Sequence, residues 1–149
     1  MKPSKRAAKR RPLDTLELRP ERVGDGDVVV RIFVDGKDLQ ERAREIELPL
    51  LAGAGRAHIA GTYRGLSPAE WTNLPERDED RRVTLLDCDC GVMGCWPLKA
   101  RVTVRATTVT WSDFLSPAIG SLDDALGTFT FARDRYEAEI ARIGGARVT

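Results

Sequence analysis

Two consecutive segments of alternating side chains near the middle of the chain constrain its fold most strongly. Residues 98–106 place Val102 and Val104 on one parity, and residues 107–114 place Val109 and Trp111 on one parity. Alternation with a period of two is typical of strands that bury one face. Because the link between the segments is very short, we expect them to pair as an antiparallel hairpin.

Further strands and helices are predicted on either side of this hairpin. Residues 27–34 read DVVVRIFV and are apolar on both parities, which indicates a central strand, and residues 13–18 predict a shorter one. The Asp35-Gly36 pair after residue 34 is a turn signal. Residues 38–47 have apolar side chains at helical spacing and predict a short amphipathic helix that ends before Pro49; a continuing edge strand is the alternative.

Two other helices have recognisable ends. Ser67, Pro68 and Glu70 form the pattern of an N-cap, a first helical residue and a capping box. Residues 134–143 carry an apolar stripe that includes Tyr136, and glycines follow this segment. Together these elements predict an α+β fold: a mainly antiparallel sheet of about five strands with the C-terminal helix packed on one face.

Length and composition indicate one domain in a reducing compartment. The 149 residues suit a single domain, which we assign to residues 13–149. The sequence has no apolar run of about 18 residues, so no membrane span is expected, and no secretory h-region follows its basic N-terminus. The chain has three cysteines, an odd number, and reduced thiols in a cytoplasmic protein are the expected state.

The charge of the chain is unevenly distributed. Six of the 24 basic residues lie within residues 1–12. The rest of the chain contains the other 18 basic residues and 23 acidic residues, so its net charge is −5. We expect residues 1–12 to form a disordered tail, and a solubilising terminus is the ordinary role of such a segment. Association with nucleic acid or with an anionic membrane surface is the alternative, because like-charged basic blocks release counterions from a polyanion. The basic residues of the tail are Lys2, Lys5, Arg6, Lys9, Arg10 and Arg11.

A cysteine-rich turn, residues 88–95, precedes the central hairpin. Cys88, Cys90 and Cys95 lie in CDCGVMGC, where two glycines supply the backbone freedom of a tight knuckle. Three interpretations stay open: small side chains that lock a turn, a zinc site, or redox-active thiols. Zinc prefers four ligands, so the metal interpretation needs a fourth from His58, Asp87, Asp89, water or another chain.

The sequence contains no motif of a known catalytic class. A nucleophile elbow, a P-loop, an HExxH helix and paired catalytic carboxylates are all absent, and His58 is the only histidine. We therefore predict a non-enzymatic binding or interaction protein, with zinc binding as the alternative. Trp71 and Trp96 are candidate anchors for a protein partner, because tryptophan is enriched at interface hot spots; a core position is the other interpretation of each.

Three motifs in the second half of the chain resemble those of a bacterial family. The segments are CDCGVMGCWPL, VTWSDFLSP and FTFARDRYEAEI, all within residues 83–143. They are similar to a family of small uncharacterised bacterial proteins that bear CxCGxxGCWPL, VxWSDF and FxFxxxxY. This resemblance implies a bacterial, cytoplasmic protein and carries no activity with it.

Overall fold

The computed structural model describes residues 13–71, 80–89 and 96–144. The predicted fold class is confirmed: the chain is α+β, its sheets are mainly antiparallel and its C-terminal helix packs against strands. The strands are β1 (Leu16–Arg22), β2 (Val28–Val34), β3 (Lys37–Asp38), β4 (Tyr63–Gly65), β5 (Asp80–Cys88), β6 (Leu98–Val104), β7 (Thr108–Ser116), β8 (Gly120–Ser121) and β9 (Phe129–Ala132). The helices are α1 (Leu39–Gly53), a short 3₁₀ helix (Ala57–Ile59), α2 (Pro68–Trp71), α3 (Asp123–Leu126) and α4 (Arg133–Gly144). The predicted basic tail lies outside the described residues.

The strands form two sheets, and the smaller has the order β1-β2-β3. Strand β2 is central, as its two apolar faces predict. Asp35 and Gly36 follow it with positive φ values of 53° and 81°. Two successive positive values are typical of a type I′ turn, which suits a tight hairpin. Strand β3 follows this turn and pairs with β2 for two residues, and α1 begins directly after it.

Helix α1 is longer than the sequence predicts. The side chain of Asp38 accepts a hydrogen bond from the Gln40 backbone N–H (2.8 Å) and caps the helix. The prediction that this helix ends before Pro49 is wrong, because α1 continues through Pro49 to Gly53. Pro49 is exposed, while Leu51, two residues later, is buried.

The larger sheet has the order β4-β5-β6-β7-β8, and β9 pairs with β7. The predicted antiparallel hairpin is confirmed as β6–β7, with Val104 opposite Val109. A bulge interrupts β7 at Asp113, which has a φ of 51°. The extra residue shifts the alternation, so that Phe114 and not Asp113 continues the buried face.

Hydrogen bonds also join the two sheets at two places. The backbone N–H of Asp14 donates to the carbonyl of Thr130 in β9 (2.7 Å), and the Asp14 carboxylate accepts from the Thr130 N–H (2.8 Å). At the second place, the N–H of Val30 in β2 donates to the carbonyl of Leu66, the residue after β4 (2.7 Å). Buried side chains from both sheets and from the helices belong to one hydrophobic core.

Helix α4 closes one side of this core. Its Tyr136 is buried and accepts a hydrogen bond from the indole N–H of Trp111 (3.1 Å), and burial raises the pKa of the Tyr136 hydroxyl. Glu139 and Arg142 of the same helix bond the backbone N–H and carbonyl of Leu18 at 2.7 and 2.6 Å. These two side chains therefore provide hydrogen-bond partners for backbone groups on the outer edge of β1. No helix in the described ranges is long and apolar enough to cross a membrane.

Candidate functional site

A cleft of about 650 Å³ lies where the start of β2, the end of β4, α2 and the end of β5 meet. We call it the Cys88 cleft. Its polar lining residues are Asp27, Arg64, Ser67, Glu70, Asp87 and Cys88. Cys88 is the last residue of β5, so the cysteine-rich turn begins at the wall of this cleft.

The junction between β2 and β4 forms one boundary of the cleft. At Gly65 the two strands approach so closely that a Cβ atom would lie 2.2 Å from the Val30 carbonyl oxygen. Only glycine fits there without displacing backbone. A second cleft of about 510 Å³ is lined by residues that include Arg31, Tyr63 and Asp89. Val29, Arg64 and Gly65 line both clefts.

Arg64 is held by two carboxylates of the turn that precedes β2. Its guanidinium contacts Asp25 Oδ2 at 3.0 Å and Asp27 Oδ2 at 2.9 Å. The backbone N–H of Asp27 and the Arg64 guanidinium lower the pKa of the Asp25 carboxyl. Its hydrogen bond to Asp25 in turn raises the pKa of Arg64. The positive charge at the rim is therefore already balanced by this turn.

The two remaining walls come from α2 and β5. The predicted capping box is confirmed: the Ser67 backbone N–H donates to Glu70 Oε1 (2.9 Å), and the Glu70 N–H donates to Ser67 Oγ (3.4 Å). At the end of β5, Asp87 and Cys88 are both buried, and the Cys88 N–H donates to Asp87 Oδ1 (2.8 Å). The lining residues of the cleft thus include three that carry carboxyl groups, Asp27, Glu70 and Asp87.

A buried polar cluster lies behind the β2–β4 junction. Glu47 of α1 has no exposed surface, and its carboxyl group accepts hydrogen bonds from the Gly61 N–H (2.9 Å), the Tyr63 hydroxyl and the Ser116 hydroxyl (2.8 Å). Burial and the bond to Glu47 raise the pKa of Tyr63. Gln40 donates to the carbonyls of Gly61 and Tyr63 at 3.0 and 2.6 Å. The cluster holds the segment that enters β4.

The structure brings only part of the predicted metal site into view. Cys88 lies in the cleft wall, whereas Cys90 and Cys95 lie outside the described residues. In residues 13–71, 80–89 and 96–144, no group of three histidine, cysteine, aspartate or glutamate residues could hold a metal ion. His58 is exposed on the 3₁₀ helix and lines neither cleft. The zinc site stays a prediction.

The two tryptophans singled out by the sequence differ in position. Trp71 has no exposed surface, and its ring centroid lies 6.3 Å from that of Trp111 in the core. Trp71 is therefore a core residue. Trp96 is partly buried and packs against the same core. Its role as an anchor for a partner stays a prediction.

Sequence reasoning missed Arg64, Asp27 and the Glu47 cluster. The Arg64 and Asp27 positions are single charged residues in loops or short strands, and only the fold brings them together. Comparison with protein-family models, with curated proteins and with solved structures gives no match for this chain. The geometry of the site is therefore the basis for any statement about function.

Proposed function

We propose that the protein is a non-enzymatic binding protein that receives a polypeptide segment in the Cys88 cleft. The single observation that carries this proposal is the cleft itself, with Cys88, the first residue of the predicted cysteine-rich turn, among its lining residues. Its volume of about 650 Å³ falls in the range of about 300–1,000 Å³ that is typical of ligand-binding clefts.

The charges of the cleft favour a basic partner. Asp27, Glu70 and Asp87 bring carboxyl groups to the lining, and Arg64 is the basic residue among the described lining residues. Because Asp25 and Asp27 already bind Arg64, the lining presents a negative field to an incoming chain. A lysine or arginine side chain of the partner complements this field.

We expect reversal of the charge at Asp27 to weaken peptide binding about tenfold or more, because like charges oppose each other across an interface. Asp27→Arg changes a side chain that is 71% exposed, so we expect the variant to keep the fold. Glu45→Arg is the matched control, because Glu45 is 59% exposed, makes a surface ion pair and lines neither cleft.

The measurement is a selection of displayed random peptides on immobilised wild-type protein, followed by titration of the selected peptides with both variants. Selected peptides should be rich in lysine or arginine and should bind the Glu45→Arg variant as well as the wild type. Peptides that bind the Asp27→Arg variant equally well, or the absence of any selected peptide, would contradict the proposal.

Zinc binding is the second candidate function. It is favoured by the position of Cys88, whose side chain lies in the cleft wall one residue after the buried carboxyl group of Asp87. In the proposed site, Cys88, Cys90 and Cys95 supply thiolate ligands and leave one of the four positions that zinc prefers to another donor. Such a site would fix the turn at the edge of the cleft.

Elemental analysis of reductant-treated, tag-free protein should then find about one zinc per chain, or per dimer, with protected thiols. Serine at any one of the three cysteine positions should release the metal, since each thiolate is a ligand. His58→Ala serves as the comparison variant and decides whether the histidine is the fourth ligand. Tight folding of all three cysteine variants without metal would exclude this function.

A further inference from the structure

The first half of β2 has a neighbouring strand on only one side. Strand β1 pairs with it along its whole length, whereas β3 pairs only with Phe33 and Val34 near its end. On the side of β3, the Val30 N–H donates to the carbonyl of Leu66 (2.7 Å) and closes part of the open edge. Val28, the first residue of β2, precedes that contact and lines the Cys88 cleft.

The alternation of hydrogen bonds between β1 and β2 fixes the direction of the Val28 backbone groups. Opposite residues of an antiparallel pair alternate between positions that exchange hydrogen bonds and positions that exchange none. The Val23 N–H donates to the Asp27 carbonyl, and the Asp35 N–H donates to the Thr15 carbonyl, both at 2.9 Å. The bonded positions are therefore the odd-numbered residues of this register, and the N–H and carbonyl of Val28 point away from β1.

The two backbone groups of Val28 are available to a partner. Neither has a hydrogen-bond partner within residues 13–71, 80–89 and 96–144. The Val30 N–H has the same parity and reaches Leu66, which also lines the Cys88 cleft, so the Val28 groups project on the side of the cleft. A strand edge with unpaired donors and acceptors is a template for pairing with another chain.

The opposite edge of the same sheet is protected. At the centre of β1, the N–H and carbonyl of Leu18 are bonded to the side chains of Glu139 and Arg142. Two residues further along β1 lies Pro20, which has no N–H to donate. Side-chain cover and proline are common ways of preventing a strand edge from pairing. The edge at Val28 has neither device and opens into a cleft.

We propose that the polypeptide segment bound in the Cys88 cleft adds to β2 as an extended strand, an inference that rests on the proposed function and specifies the partner's conformation. The backbone of the segment exchanges hydrogen bonds with the N–H and carbonyl of Val28. In strand addition the main-chain bonds supply affinity and the side chains supply specificity. Asp27 directly precedes Val28, so the basic side chain that complements Asp27 belongs to the neighbour of the residue bonded to Val28.

The first test removes single N–H groups from the partner and leaves the protein unchanged. The tightest-binding peptide of the display selection is synthesised with N-methylation at each residue in turn and is titrated against wild-type protein. Methylation at one residue should weaken binding about tenfold or more, because it removes the bond to the Val28 carbonyl and places a methyl group against the edge. Methylation of either neighbour should change the affinity less than about twofold, because alternate N–H groups point away from the edge.

The second test removes the N–H of Val28 from the protein. Proline is tolerated at the first residue of a strand, so Val28→Pro should keep the fold and weaken the selected peptide about tenfold. Val28→Ala is the matched control: it keeps the N–H and should bind within about threefold of the wild type, since main-chain bonds supply the affinity. In wild-type protein, hydrogen exchange of the Val28 amide, measured by NMR, should slow about tenfold or more when the peptide binds. That measurement decides the question even if Val28→Pro does not fold.

The outcomes separate strand addition from peptide binding itself. A selected peptide that responds to Asp27→Arg, but shows no position-dependent effect of N-methylation and no slower exchange at Val28, overturns strand addition and leaves the peptide-binding function in place. If the selection yields no peptide, the binding function fails and this inference fails with it. A dimer of the chain that dissociates in Val28→Pro would assign the edge to a second copy and would also overturn the proposal.

Discussion

Replacing Glu47 by alanine is expected to lower the free energy of unfolding by about 4 kcal/mol, because each buried donor left without an acceptor costs about 1–3 kcal/mol. Glu47 has no exposed surface and accepts hydrogen bonds from Gly61, Tyr63 and Ser116. These donors belong to the segment before β4, to β4 and to the end of β7. The substitution therefore affects three parts of the fold at once.

A graded series separates the hydrogen bonds from the packing. Glu47→Gln keeps the shape of the side chain and one acceptor oxygen, so we expect it to cost about half as much as Glu47→Ala. Glu45→Ala, two residues away on the exposed side of α1, should cost less than about 1 kcal/mol, since it removes only a surface ion pair with Lys37.

Urea denaturation followed by tryptophan fluorescence measures all three variants. The order of the midpoints should be Glu45→Ala highest, then Glu47→Gln, then Glu47→Ala. If Glu47→Ala unfolds at the same urea concentration as Glu45→Ala, the cluster does not stabilise the fold. The position of β4 would then have to depend on the strand pairing alone.

Local patterns were sufficient to predict most of the strands and helices. Alternation identified β2, β6 and β7, and the Ser67–Glu70 capping box identified the start of α2, because these signals come from neighbouring residues. The way in which the two sheets are joined depends on contacts between Asp14 and Thr130 and between Val30 and Leu66, which are distant in sequence. No local pattern contains that information.

The candidate site was less predictable, for physical reasons visible in individual residues. Glu47 follows Ala43 at helical spacing and occupies the buried stripe of α1, although glutamate is rarely buried in proteins. Its burial is tolerated because three donors from other elements reach it, and these are not recognisable in advance. The bulge at Asp113 likewise shifts the alternation of β7 and places its side chain beside Arg101.

Gly65→Ala is expected to lower the free energy of unfolding by about 3 kcal/mol, because overpacking against backbone cannot be relieved by a side-chain rotation. The added Cβ would lie 2.2 Å from the Val30 carbonyl oxygen and 2.9 Å from its carbonyl carbon. Relief requires β2 and β4 to separate, which strains the hydrogen bond from the Val30 N–H to the Leu66 carbonyl.

Gly24→Ala provides the control, because a Cβ at Gly24 meets no atom within 4 Å and its backbone does not require glycine. We expect Gly24→Ala to change the stability by less than about 0.5 kcal/mol, as is usual for a surface position. Since Gly65 borders both clefts, separation of β2 and β4 should also reduce binding of the selected peptides by Gly65→Ala at temperatures where it remains folded. Wild-type stability in Gly65→Ala would show that the junction is looser than the strand contact indicates, whereas lost stability with unchanged peptide affinity would place the binding site away from the Cys88 cleft.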